Sequence, residues 1–481
     1  MTEKKNVVIL GAGPGGLCAA WNLVQDGFRV IVFEKEPVCG GMAATFEWDG
    51  YRYDLGPHNI HTKRPSVHLF LKRILGQDVR EDKVLPQIYF RKRRINYPLV
   101  GMQVLRSLPW WTAVACGLSF LWCRTRALFS SDLQDDGTYE TWVVNRFGQR
   151  FYDIFFGPYT EKTWGISPTQ LSDYVAKKRI AVRGLSELIN SALYKKEIYH
   201  QENPRLVMNL YPRRGVGEIS DFFAAGIRGA GGTILTSCNV EKMVLDGNRV
   251  AKVCYSEDGK SKVLDFQTEG GAENWHVIST IPINQMVLML DGNVPQPVRE
   301  SAEGLDFASM ILLYLNLNQP DAFNVELLYF SEVEFPFNRI YDVGLFSRAM
   351  VPEGKNAICI EITCSYGDEV WNMDEKVLFE KCMLPLEKHG LLGRDKVEAY
   401  HIRRLSHAYP RFRVGYQQKL RTIFTYLEDK PNLITFGRQG LFSYSNVDDV
   451  IWMGFEVAKE LPYRKRISLP VEELFPDYID F

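Results

Sequence analysis

Residues Gly11-Ala12-Gly13-Pro14-Gly15-Gly16 have the G-x-G-x-x-G spacing of a phosphate-binding turn. Each glycine type has a reason. The first permits the tight turn, the second lets backbone approach a pyrophosphate, and the third lets a helix pack closely on a strand. A helix starting there offers free N–H groups and a partial positive charge to an anion. Glu34 closes the next apolar run, Arg29 to Glu34, where a carboxylate can accept hydrogen bonds from a ribose diol. The pattern points to a bound dinucleotide, with Gly11, Gly13, Gly16 and Glu34 as candidate contacts.

Other chemistries have less to stand on. There is no G-x-S-x-G and no H-E-x-x-H, and His58 with His61 finds no third ligand at matching spacing, so no metal site is expected. The nine cysteines form no C-x-x-C pair, which fits a reducing compartment rather than a disulfide framework. Lysine plus arginine is 57 against 58 aspartate plus glutamate, a net charge of −1 that argues against nucleic acid as a partner. The opening MTEKKNVVIL runs straight into a strand pattern with no signal-peptide signature, so a cytoplasmic location is expected.

The elements that must position these residues follow from apolar periodicity. Residues 5–10 read as a buried strand, the turn leads into a helix to about residue 27, and 29–34 is a second strand: a βαβ unit. Helices are expected over 65–80, 139–156, 169–178, 184–196, 216–230, 374–390 and 447–461, with Thr138 at a helix start. Strands are expected over 86–97, 233–238, 240–245, 249–255, 276–280 and 432–436, and several more within 307–365. Asp246-Gly247 is a hairpin signal. A length of 481 residues exceeds one ordinary core, and the α/β pattern is interrupted and then resumes.

Cys39-Gly40-Gly41-Met42 and Asp49 to His58 resemble the flavoprotein superfamily of amine oxidases, protoporphyrinogen oxidases and UDP-galactopyranose mutases. The resemblance implies FAD, with Gly40 and Gly41 beside the flavin, Val240 at the adenine, and Gly437 and Arg438 completing the site. Four segments are similar to the mutases in particular: Gly56-Pro57-His58-Asn59-Ile60-His61-Thr62; Tyr159-Thr160-Glu161-Lys162-Thr163-Trp164-Gly165 with Arg179 to Arg183; Tyr409-Pro410; and Gly437 to Tyr444. Phe337-Asn338-Arg339-Ile340 is similar to a further mutase segment. That likeness implies Tyr159 and Trp164 on nucleotide and sugar, and Arg179 and Arg339 on the diphosphate with Tyr409 and Tyr444. His58 and His61 would lie near the flavin; His58, His61, Arg179 and Arg339 are the candidate catalytic residues. The implied activity is pyranose–furanose isomerisation of a nucleotide-diphosphate sugar through N5 of reduced flavin, with NAD(P)H as a possible external reductant. Two alternatives stay open. One is an oxidoreductase of the protoporphyrinogen oxidase or amine oxidase type acting on an apolar or sugar-linked substrate. The other is a non-catalytic FAD-bound scaffold.

The expected fold class is α/β. A Rossmann-like, glutathione reductase-type (GR2) FAD domain is built from residues 1–85, 205–290 and 400–481. It is interleaved with an α+β substrate domain, mostly helical over 86–204 and an antiparallel sheet over 291–399. An excess of length over typical bacterial mutases falls around 98–138. Within it, Ser107 to Cys123 carries no charge and is flanked by Arg106, Arg124 and Arg126. It falls short of the about 20 residues a spanning helix needs. It reads as a buried helix pair, as a surface that touches a membrane or a partner protein, or, last of the three, as a true span.

Overall fold

The computed structural model describes residues 5–81, 86–96, 109–129, 136–180, 208–461 and 475. The helix expected over 184–196 and the Arg183 end of the Arg179 segment lie outside the described residues. The chain divides into two compact units: Met1–Asp82, Met208–Asp306 and Tyr416–Phe481 form the first, Lys83–Val207 and Phe307–Gly415 the second. The expected boundaries near 290 and 400 therefore fall later, at Asp306 and Gly415. The reasons are tertiary contacts. Helix Gln296–Glu303 packs on helix Tyr416–Glu428, and strand Val397–Pro410 pairs along strand Phe307–Leu317. The two substrate parts form one unit because strand Gln87–Phe90 joins the same sheet.

In the first unit, strand Asn6–Leu10 reads NVVIL and is buried throughout. A parallel strand covered on both faces needs such a continuous apolar run. It sits centrally in a five-stranded parallel sheet of order Thr233–Leu235, Arg29–Phe33, Asn6–Leu10, Trp275–Ser279, Leu433–Thr435. The chain crosses to opposite sides of Asn6–Leu10, and open α/β sheets take ligands at the carboxyl ends of strands at such a switch point. Helix Pro14–Gln25 leaves that end, and helices Gly217–Gly229 and Val447–Glu460 pack on it. Strands Cys238–Asp246 and Arg249–Glu257 form the expected hairpin. The expected helix over 65–80 stops at Leu75; Val79–Arg80 instead pairs with Tyr211–Pro212.

The second unit holds a seven-stranded sheet of order Val397–Pro410, Phe307–Leu317, Asn356–Cys364, Arg339–Asp342, Leu327–Phe330, Gln87–Phe90, Arg93–Asn96. One face carries Ile311, Leu313, Ile358 and Ile360, covered by Leu378, Cys382 and Leu386 of helix Glu375–Lys388. Helix Tyr139–Phe147 starts where expected, with Thr138 Oγ1 accepting from the Thr141 N–H at 3.2 Å. The single helix expected over 139–156 breaks at Gly148 (φ +84°), where a Cβ would lie 2.8 Å from the Phe120 backbone nitrogen. The apolar segment is not a buried pair. It is one helix, Trp110–Phe129, with an exposed apolar side. Among the described residues, no helix is long and apolar enough to cross a membrane.

Candidate functional site

The glycine turn joins the central strand to the first helix. Gly11 N–H donates to Phe33 O at 2.8 Å, locking it to the neighbouring strand. A Cβ on Gly16 would lie 2.4 Å from Gly11 O, so only glycine allows this approach. At Gly13 a Cβ would meet nothing within 4 Å. The space beside Gly13 is open, as the close approach of a pyrophosphate requires. Glu34 is 6% exposed. Its Oε2 accepts from Ala12 N–H at 2.8 Å and its Oε1 from Glu36 N–H at 2.9 Å. Burial pushes its pKa up, against these two donors. Each oxygen keeps a second acceptor site for a ribose hydroxyl.

Gly40 and Gly41 come to the same turn. Gly40 N–H donates to Ala12 O at 2.8 Å, and a Cβ on Gly41 would lie 3.3 Å from Gly13 Cα. Val240 is buried on strand Cys238–Asp246, two residues after Cys238, whose N–H donates to Glu34 O at 2.9 Å. Gly437 follows strand Leu433–Thr435, the next strand but one from Asn6–Leu10. Arg438 Nη1 donates to Ser445 O at 2.7 Å, and its guanidinium lies 4.9 Å from the Tyr444 ring centroid. The expected FAD residues thus lie on the turn after Asn6–Leu10, at the ends of neighbouring strands and on strand Cys238–Asp246, and their chemistry fits the group.

His58 and His61 stand on the segment entering strand Ile60–Thr62. His58 Nδ1 is 2.8 Å from Gly56 O. His61 is exposed and pairs its Nδ1 with the side-chain oxygen of Asn209, its register partner. Two networks hold this region in place. Arg64 bridges to Asp449 at 2.8 Å and lies over Trp452 at 4.6 Å, tying the strand to helix Val447–Glu460. Buried Asp54 accepts from Thr45 Oγ1 (2.6 Å), Tyr211 OH (2.7 Å) and Val216 N–H (3.2 Å). Burial nevertheless raises its pKa from 3.8 to about 6. Between pH 3.8 and about 6 the folded state therefore holds a proton that the unfolded state has released. Asp54's contribution to stability is present below pH 3.8 and is lost as pH rises through about 6. Wild type minus Asp54→Asn stability is expected to fall between about pH 4.5 and pH 7, read by thermal unfolding of both holoproteins. A flat difference refutes the shift.

In the second unit five of the six expected substrate residues, all but Tyr444, come from four distant segments. Trp164 ends helix Gly157–Trp164 and is 2% exposed. The Arg179 guanidinium lies 5.2 Å from its ring centroid, and Tyr409 meets the ring edge-on at 6.2 Å. Tyr159, five residues earlier on the same helix, meets Tyr329 edge-on at 6.2 Å. The Arg339 guanidinium lies 5.8 Å from the same Tyr329 ring. Burial pushes the Tyr159 phenol up, only partly offset by Arg179 and Arg339. It stays protonated, a hydrogen-bond donor, across the physiological range.

Three charged residues that the sequence reading passed over organise this cluster. Glu361, fully buried, receives Arg339 through Nε at 3.0 Å and Nη2 at 2.6 Å. Arg411, 4% exposed, donates Nε to Trp164 O at 2.8 Å and Nη2 to Cys364 O at 3.0 Å, fixing the helix end that carries Trp164. Lys162 donates to Phe330 O at 3.2 Å and to Glu332 O; burial lowers its pKa to about 8. One signal was available. Glu361 is the lone charge in the apolar strand NAICIEITC, and a buried strand tolerates a carboxylate only when it is paired.

Of the expected site residues, Tyr159, Trp164, Arg179, Arg339 and Tyr409 belong to the second unit; His58, His61 and Tyr444 belong to the first. Among the described residues no group of three His, Cys, Asp or Glu side chains is placed to hold a metal.

Known proteins resemble this chain in sequence and in fold. A probable UDP-galactopyranose mutase from Klebsiella pneumoniae is 26% identical over 189 residues, covering 38% of this chain and 46% of that protein. A 4,4'-diapophytoene desaturase (4,4'-diapolycopene-forming) from Methylomonas sp is 44% identical over 57 residues, 12% of this chain and 11% of that one. The chain thus spans less than half the length of these curated relatives. Among solved structures, a reduced UDP-galactopyranose mutase superposes with a TM-score of 0.80 at 20% identity, covering 96% of both chains. A putative protoporphyrinogen oxidase from Exiguobacterium sp. 255-15 gives 0.68 at 15% identity, covering 95% of this chain and 99% of that one. Both share the mixed α/β fold. The family described as flavin containing amine oxidoreductase matches residues 14–422. With most of its length matched, this chain belongs to the flavin containing amine oxidoreductase family.

Proposed function

We propose that this flavoenzyme binds a nucleotide-diphosphate sugar and interconverts its pyranose and furanose forms, using reduced FAD. The observation that carries the reading is the cluster of Tyr159, Trp164, Arg179, Arg339 and Tyr409 in one unit. Aromatic faces suit a uracil ring or the apolar face of a sugar. As the anomeric bond breaks, negative charge develops on the diphosphate, and donors already held in place stabilise it more than water does. Arg179 supplies cationic charge, Tyr159 donates as a protonated phenol, and Tyr409 offers its hydroxyl. Arg339 acts as an oriented donor, since Glu361 balances its charge. When bound, reduced flavin supplies an electron pair to the anomeric carbon. Gly11, Gly13, Gly16, Gly40 and Gly41 are proposed to hold its phosphates and flavin side, and Glu34 the ribose. Val240 is proposed at the adenine. His58, His61, Gly437 and Arg438 are proposed beside the isoalloxazine, with NAD(P)H as the external reductant.

Titration of oxidised and dithionite-reduced holoprotein with UDP, dTDP, GDP and their sugars, followed by flavin absorbance, tests this. The expected result is binding, and turnover of the reduced form without net consumption of reductant. Arg179→Met is expected to weaken UDP binding by about tenfold or more, the loss of one charge-assisted contact. If neither redox state responds to any nucleoside diphosphate, the proposal fails. The Arg339–Glu361 pair favours a second reading, because a neutralised arginine suits an uncharged substrate. That substrate would bleach the flavin anaerobically, as in an oxidoreductase of the amine oxidase type.

A further inference from the structure

Helix Trp110–Phe129 has an apolar side that the fold leaves uncovered. Trp110 is 74% exposed, Trp111 61%, Val114 52%, Leu118 63%, Leu121 59% and Trp122 69%. At about 100° per residue these six side chains fall within an arc of about 120°. The opposite side is docked. Thr112 and Cys116 are buried there, Ser119 Oγ accepts from Arg150 N–H at 3.1 Å, and Gly148 abuts the Phe120 backbone. The stripe is therefore built outward by packing, not left over at a frayed end.

Its chemistry selects one occupant. Indoles stand at both ends of the stripe and aliphatic side chains between them. Amphipathic indoles prefer the headgroup level of a bilayer and aliphatic groups the acyl boundary. The surrounding sequence is one-signed. Between Asp82 and Asp132 there are eight lysines and arginines, Arg106, Arg124 and Arg126 among them, and no aspartate or glutamate. In a chain of net charge −1 this is a local concentration. Arg91 and Lys92 of this stretch are exposed at the turn between strands Gln87–Phe90 and Arg93–Asn96. A second copy of the chain would bring like charges together; an anionic lipid surface brings opposite ones, worth about 1 kcal/mol per basic residue near the surface. The helix is too weakly apolar to cross a membrane, which leaves it lying in the plane of one.

We propose that helix Trp110–Phe129 docks this protein on an anionic lipid bilayer surface, its tryptophan-flanked stripe seated at the headgroup–acyl boundary. This docking does not depend on which substrate the flavin site takes.

The test is flotation of the holoprotein with phosphatidylcholine vesicles, pure or containing about 30 mol % phosphatidylglycerol. Wild type is expected to float with the anionic vesicles and to be released as salt rises from about 50 to about 500 mM. The triple variant Trp111→Ser, Leu118→Ser, Trp122→Ser is expected to lose vesicle binding by about tenfold or more. Its unchanged flavin absorbance would show that the fold is retained. Should that variant not fold, Arg124→Gln with Arg126→Gln, which keeps the stripe, is expected to weaken flotation several-fold. Three outcomes overturn the proposal. They are wild type ignoring both vesicle types, the variants floating as wild type does, and wild type self-associating through the stripe, read by light scattering, without binding lipid.

Discussion

Purified Gly16→Ala protein is expected to be colourless. The added Cβ would lie 2.4 Å from Gly11 O and 3.2 Å from Thr280 Oγ1. The first contact is with backbone, so no side chain can swing aside to relieve it. Either the turn or the start of helix Pro14–Gln25 must move, at about 1–3 kcal/mol for an overpacked site. That movement falls on the N–H groups proposed to face the pyrophosphate. Gly13→Ala is the informative partner. Gly13 has φ −72° and ψ 170°, open to any residue, and its Cβ would meet nothing within 4 Å. Flavin-free Gly13→Ala is therefore expected to unfold at the wild-type temperature. Its flavin affinity is expected to drop about tenfold or more, because the methyl group fills space the phosphates approach. Flavin titration of the two apoproteins, with thermal unfolding of each, checks this. Wild-type flavin affinity in Gly13→Ala would sink the assignment of that space.

Arg339→Ala is expected to cost about 3–5 kcal/mol of stability, since it leaves the carboxylate of Glu361 buried and unpaired. Glu361 is 0% exposed, and the guanidinium reaches both its oxygens, Oε1 at 2.8 Å and Oε2 at 2.6 Å. Arg339→Met with Glu361→Met removes both charges at similar volume, and a buried pair replaced this way loses little or nothing. The double variant is expected to recover most of the stability. It also separates structure from binding: under the proposed function, it folds but holds UDP more weakly than wild type. Denaturant unfolding of the three proteins and UDP titration of the double variant provide the readouts. A single variant within about 1 kcal/mol of wild type would show that Glu361 finds other partners or loses its charge.

Much of the first unit was legible in local pattern. A buried apolar run, glycines at fixed offsets and a carboxylate ending the next strand specify strand, turn and helix within about thirty residues. Each of those signals acts over short range, so neighbouring residues suffice to read it. The hairpin at Asp246-Gly247 and the helix start at Thr138 were readable for the same reason. The segments carrying Tyr159, Trp164, Arg179, Arg339 and Tyr409 were picked out by likeness to a family. Their positions in the chain did not say that they meet.

What stayed hidden depends on contacts between distant residues. At Gly148 the helix breaks at φ +84° and the backbone of helix Trp110–Phe129 stands where a Cβ would lie, a contact no periodicity within 139–156 could reveal. The end of the first unit's central segment moved to Asp306 because a helix there packs on one beginning more than a hundred residues later.

By itself, then, the sequence determined the dinucleotide turn, its flanking strands, the flavoprotein family and the residue types available for an anionic ligand. Only the tertiary structure decided how those residues are charged, supported and exposed. It set Glu361 against Arg339, placed Arg411 beneath Trp164 across 247 residues of chain, and turned the tryptophans of helix Trp110–Phe129 outward. The reason is physical. Helix and strand preferences are set by near neighbours, whereas burial and the pairing of charge are properties of the packed chain.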